Sequence, residues 1–268
     1  MNYKKLEEEH YDSRYFSDSE YLYPDENEMS INDKVNIPSR RYIEQRTNEI
    51  IKKIVKVNLL DYGCAIGEKS YKFSSPDVRI TGIDISKKSI EIASKLASKH
   101  LVNGQYLIMD CECLSFENKM FDIVYDFGTF SSIDVKKALP EICRVLKDDG
   151  YLITIETLGN NPIMYLKRKL NVLKGSRTQW ASNHIMKLSD WDEFRKYFYE
   201  FEIRYFSFLT LFLSPILYIL PYQKHFSIIS FFAKIDDLLL RIKFFQYFAF
   251  KAVAIMSKPK RDNLDSVW

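Results

Sequence analysis

Short apolar runs alternate with amphipathic segments between residues 40 and 157. The apolar runs predict buried strands at 57–62, 78–84, 105–109, 121–126 and 150–156. The amphipathic segments predict helices at 40–56, 67–75, 87–100 and 134–147. Continuous apolar strands between amphipathic helices are typical of a parallel sheet that is covered on both faces. We therefore expect an α/β core with doubly wound strands.

After residue 157 the alternation loosens. Helical patterns occur at 163–174 and near 189–199, and further strands are predicted at 200–206 and 251–256. The pattern predicts the following organisation: an N-terminal arm or lid at 1–39, a ligand-binding core at 40–157, a substrate-side helical insertion at 158–199, terminal core strands at 200–206 and 251–258, and an apolar helical insertion at 207–250.

The composition limits which classes of protein and which partners can be expected. The 268 residues suffice for one α/β domain with an elaboration. A net charge of +3, without a basic stripe, gives no reason to expect a nucleic-acid partner. The four cysteines lack the paired spacing of a zinc site or a disulfide framework, so we expect reduced thiols and no metal. The polar N-terminus lacks an apolar stretch typical of a signal peptide, which predicts a cytoplasmic protein.

The turn after the first strand carries candidate chemistry. In doubly wound sheets, ligands bind at the carboxyl ends of the strands, and this turn has the sequence DYGCAIG at 61–67. Gly63 and Gly67 allow a tight turn and a close approach of a ligand, and Cys64 and Ala65 are small. Such a loop alone also fits a dehydrogenase or a plain tight turn.

Acidic residues at the ends of the next two strands add to this pattern. Asp84 ends the second strand 23 residues after Asp61, near the offset at which a carboxylate reaches ribose hydroxyls. Ser86 suits the N-cap of the next helix, which leaves Asp84 available, although Asp84 capping its own turn is the alternative. Asp110 ends the third strand and is a third candidate contact.

Four separate segments resemble the class I S-adenosylmethionine-dependent methyltransferases, especially the small-molecule group that includes quinone-biosynthesis enzymes. They are LLDYGCAIG at 59–67, the strand end at Asp84, MDCECLSF at 109–116, and FDIVYDFGTF at 121–130 followed by LPEICRVLKDDGYL at 139–152. Ala65 stands where the family usually has glycine, and Ser115 replaces a common proline. The resemblance implies a Rossmann-like, doubly wound, seven-stranded sheet, mostly parallel with an antiparallel last strand. The apolar residues at 207–250 predict a hydrophobic helical insertion between the last two strands.

The resemblance also implies the cofactor, S-adenosylmethionine, and the residues that hold it. Asp84 matches the ribose-binding acid, and Asp110 with the next backbone N–H matches the adenine-binding segment. The full implied set is Asp61, Gly63, Cys64, Ala65, Gly67, Asp84, Ile85, Asp110, Cys111, Asp126 and Phe127. The implied reaction is in-line attack on the sulfonium methyl, for which the protein aligns a nucleophile and takes its proton without a metal.

The catalytic base is less well marked. Relatives often carry histidines after the fourth strand, but this chain has Ser131 and Ser132 there. We hypothesise that His184, in a loop after the fifth strand, is the base; a surface histidine is the alternative. Glu156, at the end of the fifth strand, is a second candidate that binds an amine or hydroxyl or else caps the core. In the arm, Tyr11 is a candidate to close over the sulfonium, together with Tyr15 and Phe16; simple packing of the arm is the alternative.

The insertion at 207–250 is rich in apolar and aromatic residues. Residues 206–221 are uncharged but contain Pro215, and they fall short of the roughly 20 apolar residues that span a bilayer. Residues 228–250 mix aromatic side chains with lysine and arginine, which favours a membrane interface. We expect peripheral contact with the cytoplasmic leaflet; a homodimer interface and a cap over a hydrophobic pocket are the alternatives.

The functional expectation is methyl transfer to an oxygen of a hydrophobic or lipid-linked small molecule or glycan precursor. One alternative is a non-catalytic scaffold that binds S-adenosylmethionine. A nicotinamide-dependent oxidoreductase would share the glycine loop and the ribose acid, but it leaves the segment around Asp110 unexplained.

Overall fold

The computed structural model describes residues 3–14, 29–161, 172 and 178–261. Seven strands form one sheet in the order β3-β2-β1-β4-β5-β7-β6. They are β1 Val57–Tyr62, β2 Val78–Asp84, β3 Gly104–Ile108, β4 Phe121–Asp126, β5 Leu146–Thr157, β6 Phe198–Phe206 and β7 Lys251–Pro259. Strands β1 to β5 pair in parallel, and β7 runs antiparallel to both of its neighbours. The predicted mostly parallel sheet with an antiparallel last strand is confirmed.

The helices surround this sheet. They are α1 Tyr3–Arg14, α2 Ile31–Lys34, α3 Ile37–Ile51, α4 Lys87–Lys99, α5 Val135–Val145, α6 Gln179–Asn183, α7 Trp191–Tyr197, α8 Ser214–Ile219, α9 His225–Leu239 and α10 Lys243–Gln246. The strand order reverses between β1 and β4, where the chain leaves toward opposite sides of the sheet. Such a switch point opens a crevice at the carboxyl ends of the strands.

The prediction of a helix at 67–75 is wrong. Only a 3₁₀ turn, Tyr71–Phe73, occurs there. Gly67 has a φ of 78°, and the Tyr71 hydroxyl oxygen lies 2.8 Å from the carbonyl oxygens of both Ile66 and Ala93. These local polar contacts replace a helical ladder, and the segment has no apolar stripe to stabilise a helix. The helix predicted at 163–174 lies almost wholly outside the described residues.

The core has two layers, one on each face of the sheet. Adjacent strand residues point to opposite faces, so Leu59 packs under α3 and α4, whereas Leu60 packs under α5 and α7. Both leucines are completely buried. Because both faces of β1 are covered, its end can hold polar groups in a fixed position at the switch point.

The insertion between β6 and β7 is helical, as predicted, and comprises α8, α9 and α10. A small core joins it to the chain near α2 and contains Val35, Leu213, Leu217 and Ile229. The buried Asp236 of α9 accepts hydrogen bonds from the backbone N–H groups of Phe208, Leu209 and Thr210, at 2.6 to 3.1 Å. These contacts fix the start of the insertion against its longest helix. No helix among residues 3–14, 29–161 and 178–261 is long and apolar enough to cross a membrane.

Candidate active site

A cavity of about 500 Å³ lies at the carboxyl ends of β1, β2, β3 and β4. It therefore occupies the switch point of the sheet. Nine of the eleven expected cofactor residues line it: Asp61, Gly63, Cys64, Ala65, Asp84, Ile85, Asp110, Cys111 and Phe127. Gly67 and Asp126 do not line the cavity, and neither do the two expected catalytic residues, Glu156 and His184.

The glycine loop shapes one wall. Gly63 has a φ of 67°, and a Cβ there would lie 2.2 Å from Thr129 Oγ1, so only glycine fits without a shift. Ala65 adopts a φ of 48°, a left-handed conformation that disfavours a residue with a Cβ. Gly67 closes the turn by donating its N–H to the Cys64 carbonyl at 2.8 Å. Its place behind the loop explains why it does not reach the cavity.

Asp84 holds this loop and faces the cavity. Its Oδ2 accepts the Ala65 N–H at 2.9 Å, and its Oδ1 accepts the Ser86 N–H at 2.9 Å. Ser86 Oγ in turn caps α4, as predicted, by accepting the Ser89 N–H. Burial raises the pKa of Asp84, although these backbone donors oppose the shift. Each carboxylate oxygen retains a second lone pair, which suits a vicinal diol as ligand.

Asp61 is buried at the end of β1. Its Oδ2 accepts a hydrogen bond from Ser70 Oγ at 2.6 Å. Burial raises the pKa of Asp61 to about 7, since desolvation disfavours the charged carboxylate, and the neighbouring Asp126 and Asp84 add to the shift. A cationic group bound next to Asp61 would stabilise its ionised form.

Asp110 lies where β3 ends and contacts the N-terminal helix. Its Oδ1 accepts the Glu112 N–H at 2.9 Å, and its Oδ2 pairs with the Lys4 ammonium. Glu112, almost completely buried, accepts from the Tyr3 hydroxyl and from the Asp134 N–H. The first turn of α1 therefore covers the part of the cavity that the resemblance assigns to adenine.

Helix α1 forms the roof of the cavity. Its lining residues are Tyr3, Lys4, Glu7, His10 and Tyr11, which share one helical face. Asp12 Oδ1 accepts from Ser86 Oγ at 2.6 Å and from the Lys88 N–H at 3.2 Å, which ties the helix to the start of α4.

Sequence reasoning placed Tyr11 in this lid but missed Lys4, Glu7 and His10. The available signal was the helical spacing of aromatic and titratable residues in the N-terminal segment. Tyr15 and Phe16 lie outside the described residues.

Asp126 and Glu156 are buried beneath the loop that follows β4. Asp126 accepts the Thr129 N–H at 3.0 Å, and Glu156 Oε1 accepts the Phe130 N–H at 2.9 Å. Burial, together with the neighbouring Asp126, raises the pKa of Glu156 well above its ordinary value. The prediction that Glu156 reaches the acceptor from the pocket floor is therefore wrong. Glu156, beside Asp126, instead supports the loop that lines the cavity.

His184 is exposed and turned away from the cavity. Its Nδ1 lies 2.9 Å from the Trp180 carbonyl, and its ring stacks on the Trp180 indole at a centroid distance of 3.6 Å. The Tyr3 ring stacks on the same indole at 3.8 Å. Two rings this close to one indole centre must lie on opposite faces, so Trp180 and Tyr3 separate His184 from the cavity. This geometry contradicts the hypothesis that His184 is the base.

The cavity is acidic, which limits the ligand class. Six carboxylates and three lysines line it, so the potential favours a cation. The carboxylates are Glu7, Asp61, Glu68, Asp84, Asp110 and Glu112. The diol acceptor at Asp84, the glycine-lined wall and the buried Asp61 fit a nucleoside that carries a positive charge.

Comparison with known proteins agrees with this geometry. Over 120 residues the chain is 33% identical to the demethylmenaquinone methyltransferase of Thermotoga maritima, covering 44% of this chain and 51% of that protein. The chain spans about half the length of the curated relatives that it matches.

Two solved structures share the fold. Geranyl diphosphate C-methyltransferase from Streptomyces coelicolor has a TM-score of 0.59 at 13% identity, with 97% of this chain and 99% of that chain covered. Phosphoethanolamine N-methyltransferase 2 of Haemonchus contortus, in complex with S-adenosyl-L-methionine, has a TM-score of 0.56 at 15% identity, with 87% and 60% covered. At these identities the likeness concerns the fold alone.

The family model described as a methyltransferase domain matches residues 54–202, which is more than half of the chain. The match includes β1 to β5 and the loops after β1, β2, β3 and β4 that line the cavity. The resemblance drawn from the four sequence segments is thereby confirmed. The chain belongs to the methyltransferase-domain family, whose members use S-adenosylmethionine as the methyl donor.

Proposed function

We propose that the protein is an S-adenosylmethionine-dependent methyltransferase that methylates an oxygen of a hydrophobic or lipid-linked small molecule or glycan precursor. The observation that carries this proposal is the convergence of the glycine loop, Asp84 and Asp110 on one acidic cavity at the switch point. A non-catalytic scaffold with the same fold would not need an enclosed roof of titratable side chains above that cavity.

The residues of the cavity have distinct tasks in this proposal. Asp84 would accept the ribose hydroxyls, and Asp110 with the Cys111 N–H would hold the adenine. Asp61 would face the charged amino acid end. The cofactor supplies a methyl group that is already activated by its sulfonium charge. The protein then has to align the acceptor, exclude water and take up a proton.

Calorimetric titration with S-adenosylmethionine and, separately, with NAD tests the cofactor assignment. We expect S-adenosylmethionine alone to bind, and Asp84→Ala to lose most of that affinity. Asp77→Ala is the matched control, because Asp77 is an exposed aspartate just before β2. NAD binding, or full S-adenosylmethionine affinity in Asp84→Ala, would contradict the proposal. Tight binding with no methyl transfer to any acceptor would instead favour the scaffold.

The lipid-linked part of the proposal is supported by the surface of the insertion. Among the described residues, ten of the fifteen large hydrophobic side chains that are exposed belong to residues 207–250. They include Tyr218, Ile219, Phe231 and Phe244, which are 60% to 86% exposed. The surface of a soluble monomeric protein rarely exposes so much apolar area in one region unless that region binds a partner.

The charge of the same segment favours an anionic bilayer as that partner. Its basic side chains, Lys224, Lys234, Arg241 and Lys243, are all exposed. Its two acidic residues are neutralised or buried: Asp236 lies in the interior, and Asp237 pairs with Arg204 and Arg241. Basic and aromatic side chains together are the pattern of an interfacial segment. We therefore infer that residues 207–250 dock on the cytoplasmic leaflet and bring the active site to its acceptor.

Vesicle sedimentation tests this docking. We expect binding to phosphatidylcholine vesicles only when phosphatidylglycerol is included, and loss of binding in the triple variant Tyr218→Ser/Ile219→Ser/Phe244→Ser. Tyr199→Ser is the control, because Tyr199 is 65% exposed on β6 outside the insertion. Absence of vesicle binding together with a dimer in analytical ultracentrifugation that the triple variant dissociates would assign the segment to a homodimer interface.

A further inference from the structure

Glu7 is the one carboxylate of the cavity roof whose second oxygen has no partner among the described residues. The residue is 3% exposed, and it lines the cavity from the inner face of α1. Its Oε1 accepts a hydrogen bond from Thr178 Oγ1. Its Oε2 is buried without a hydrogen bond from any part of the chain that the structure describes. A buried carboxylate oxygen in this state is costly unless a ligand provides a donor.

The contacts of α1 place Glu7 over the acceptor side of the cavity. One turn before it, Lys4 pairs with Asp110 at the adenine end. One turn after it, the Tyr11 hydroxyl lies 3.3 Å from Ser132 Oγ in the segment that follows β4. The Thr178 contact connects Glu7 to the start of α6, in the region predicted to lie on the substrate side. Successive turns of a helix are about 5.4 Å apart, so Glu7 lies between these two ends.

Other carboxylates of the lining have partners that account for their burial. Asp84 binds two backbone N–H groups, Asp61 binds Ser70, and Asp110 binds Lys4. Each also corresponds to a cofactor contact in the proposed function. Glu7 corresponds to none, which leaves its Oε2 for the second substrate.

We propose that Glu7 binds the reacting O–H or N–H group of the methyl acceptor and takes its proton. This inference rests on the proposed methyl transfer. A lone pair of the acceptor atom forms the new bond to the methyl carbon while the carbon–sulfur bond breaks, its electron pair remaining on sulfur. The acceptor's proton passes to Glu7 Oε2 and from there to solvent. An acceptor that reacts through carbon without such a donor would leave Oε2 unpaired.

Binding of two cofactor analogues tests this assignment without knowledge of the acceptor. In sinefungin a carbon replaces the sulfur and bears a primary amine where the transferred methyl group would be, whereas S-adenosylhomocysteine has a thioether and no donor there. We expect the wild-type protein to bind sinefungin more tightly than S-adenosylhomocysteine by about tenfold, as one charge-assisted hydrogen bond provides. We expect Glu7→Gln to reduce this preference to about twofold or less while keeping its affinity for S-adenosylhomocysteine.

Glu9→Gln is the matched control, because it removes the same charge from the same helix. Glu9 is exposed and lies 3.9 Å from Lys5, so we expect it to keep the sinefungin preference. A preference that persists in Glu7→Gln, or that is absent from the wild-type protein, would overturn the role of Glu7. Failure of the wild-type protein to bind either analogue would instead overturn the proposed function on which the inference rests.

Discussion

The floor and the roof of the cavity are built in different ways. The floor consists of strand ends and their turns: Gly63 follows β1, Asp84 ends β2, and Asp110 lies just after β3. The roof is α1, whose Lys4 and Tyr3 reach Asp110 and Glu112 across more than a hundred residues of chain. The residues proposed to bind the cofactor are thus positioned by local sequence, whereas the position of Glu7, proposed to bind the acceptor, depends on how a distant helix docks.

The two regions also differ in how firmly they are held. The floor is over-determined, since the loop at 63–67 is fixed by left-handed backbone conformations and by the buried Asp84. The roof is held mainly by polar contacts at partly exposed groups, such as the pair of Lys4 and Asp110, which are 26% and 30% exposed. Solvent screens such pairs, so each contributes little. We expect substitutions in the floor to abolish binding and substitutions in the roof to loosen it.

The largest effect is expected for Gly63→Ala. The new Cβ would lie 2.2 Å from Thr129 Oγ1 on a backbone with a φ of 67°, which we expect to cost about 3 kcal/mol in unfolding free energy. S-adenosylmethionine binding should be lost as the loop shifts. Chemical denaturation and calorimetry measure both quantities. In the same loop, Ala65→Gly relieves strain and should change stability by less than about 0.5 kcal/mol; equal damage from both variants would show that the loop is not over-determined.

The second effect concerns the carboxyl pair beneath the floor. Glu156→Ala leaves the buried Phe130 N–H without its acceptor, so we expect a loss of about 2 kcal/mol. Glu156→Gln keeps an acceptor oxygen for this N–H and should cost much less.

The pH dependence of the unfolding free energy should distinguish Glu156→Gln from the wild-type protein. Because the pKa of Glu156 is raised in the folded protein, its stabilising contribution is complete below the ordinary glutamate pKa and is lost as the pH rises. Unfolding free energies measured from pH 4 to 8 should therefore fall less steeply for Glu156→Gln than for the wild-type protein. Parallel curves would show that Glu156 is ionised in the folded protein.

The third effect is the pH dependence of cofactor affinity through Asp61. Its pKa of about 7 leaves it mostly protonated at pH 6, and binding of a cation favours the ionised form. The affinity for S-adenosylmethionine should therefore rise by up to about tenfold between pH 6 and 8. Asp61→Asn should flatten this profile in calorimetric titrations, and an unchanged slope would place the titrating group elsewhere.

The smallest effect is expected in the roof. Asp12→Ala removes the contacts that tie α1 to Ser86 and Lys88, which we expect to cost about 1 kcal/mol locally. Amide hydrogen exchange of residues 3–14 should then accelerate about fivefold, while the affinity for S-adenosylhomocysteine changes less than twofold. A large loss of that affinity would mean that the roof, and not the floor, determines cofactor binding.

The floor of the site and the sheet beneath it could be predicted from the hydrophobic pattern. Strand β1 is buried on both faces and carries Asp61 one residue before its end, and β2 ends at Asp84, so hydrophobic patterning located the ligand-binding edge. Parallel strands bring their carboxyl ends together, which is why residues far apart in sequence could be assigned to one site. The helix predicted after Gly67 does not form, because hydrogen bonds of the Ser70 and Tyr71 side chains stabilise a turn there and the amphipathic pattern of the segment is weak.

The positions of the candidate acceptor-side residues depend on the tertiary structure. Glu156 and His184 have suitable chemistry, but one lies beneath the loop and the other lies behind Trp180. Glu7 belongs to a polar helix without a strong apolar stripe, and its burial comes from docking over the strand ends. A sequence pattern records which face of an element is apolar, but it does not record where a polar helix docks, because that position depends on contacts made across the whole chain.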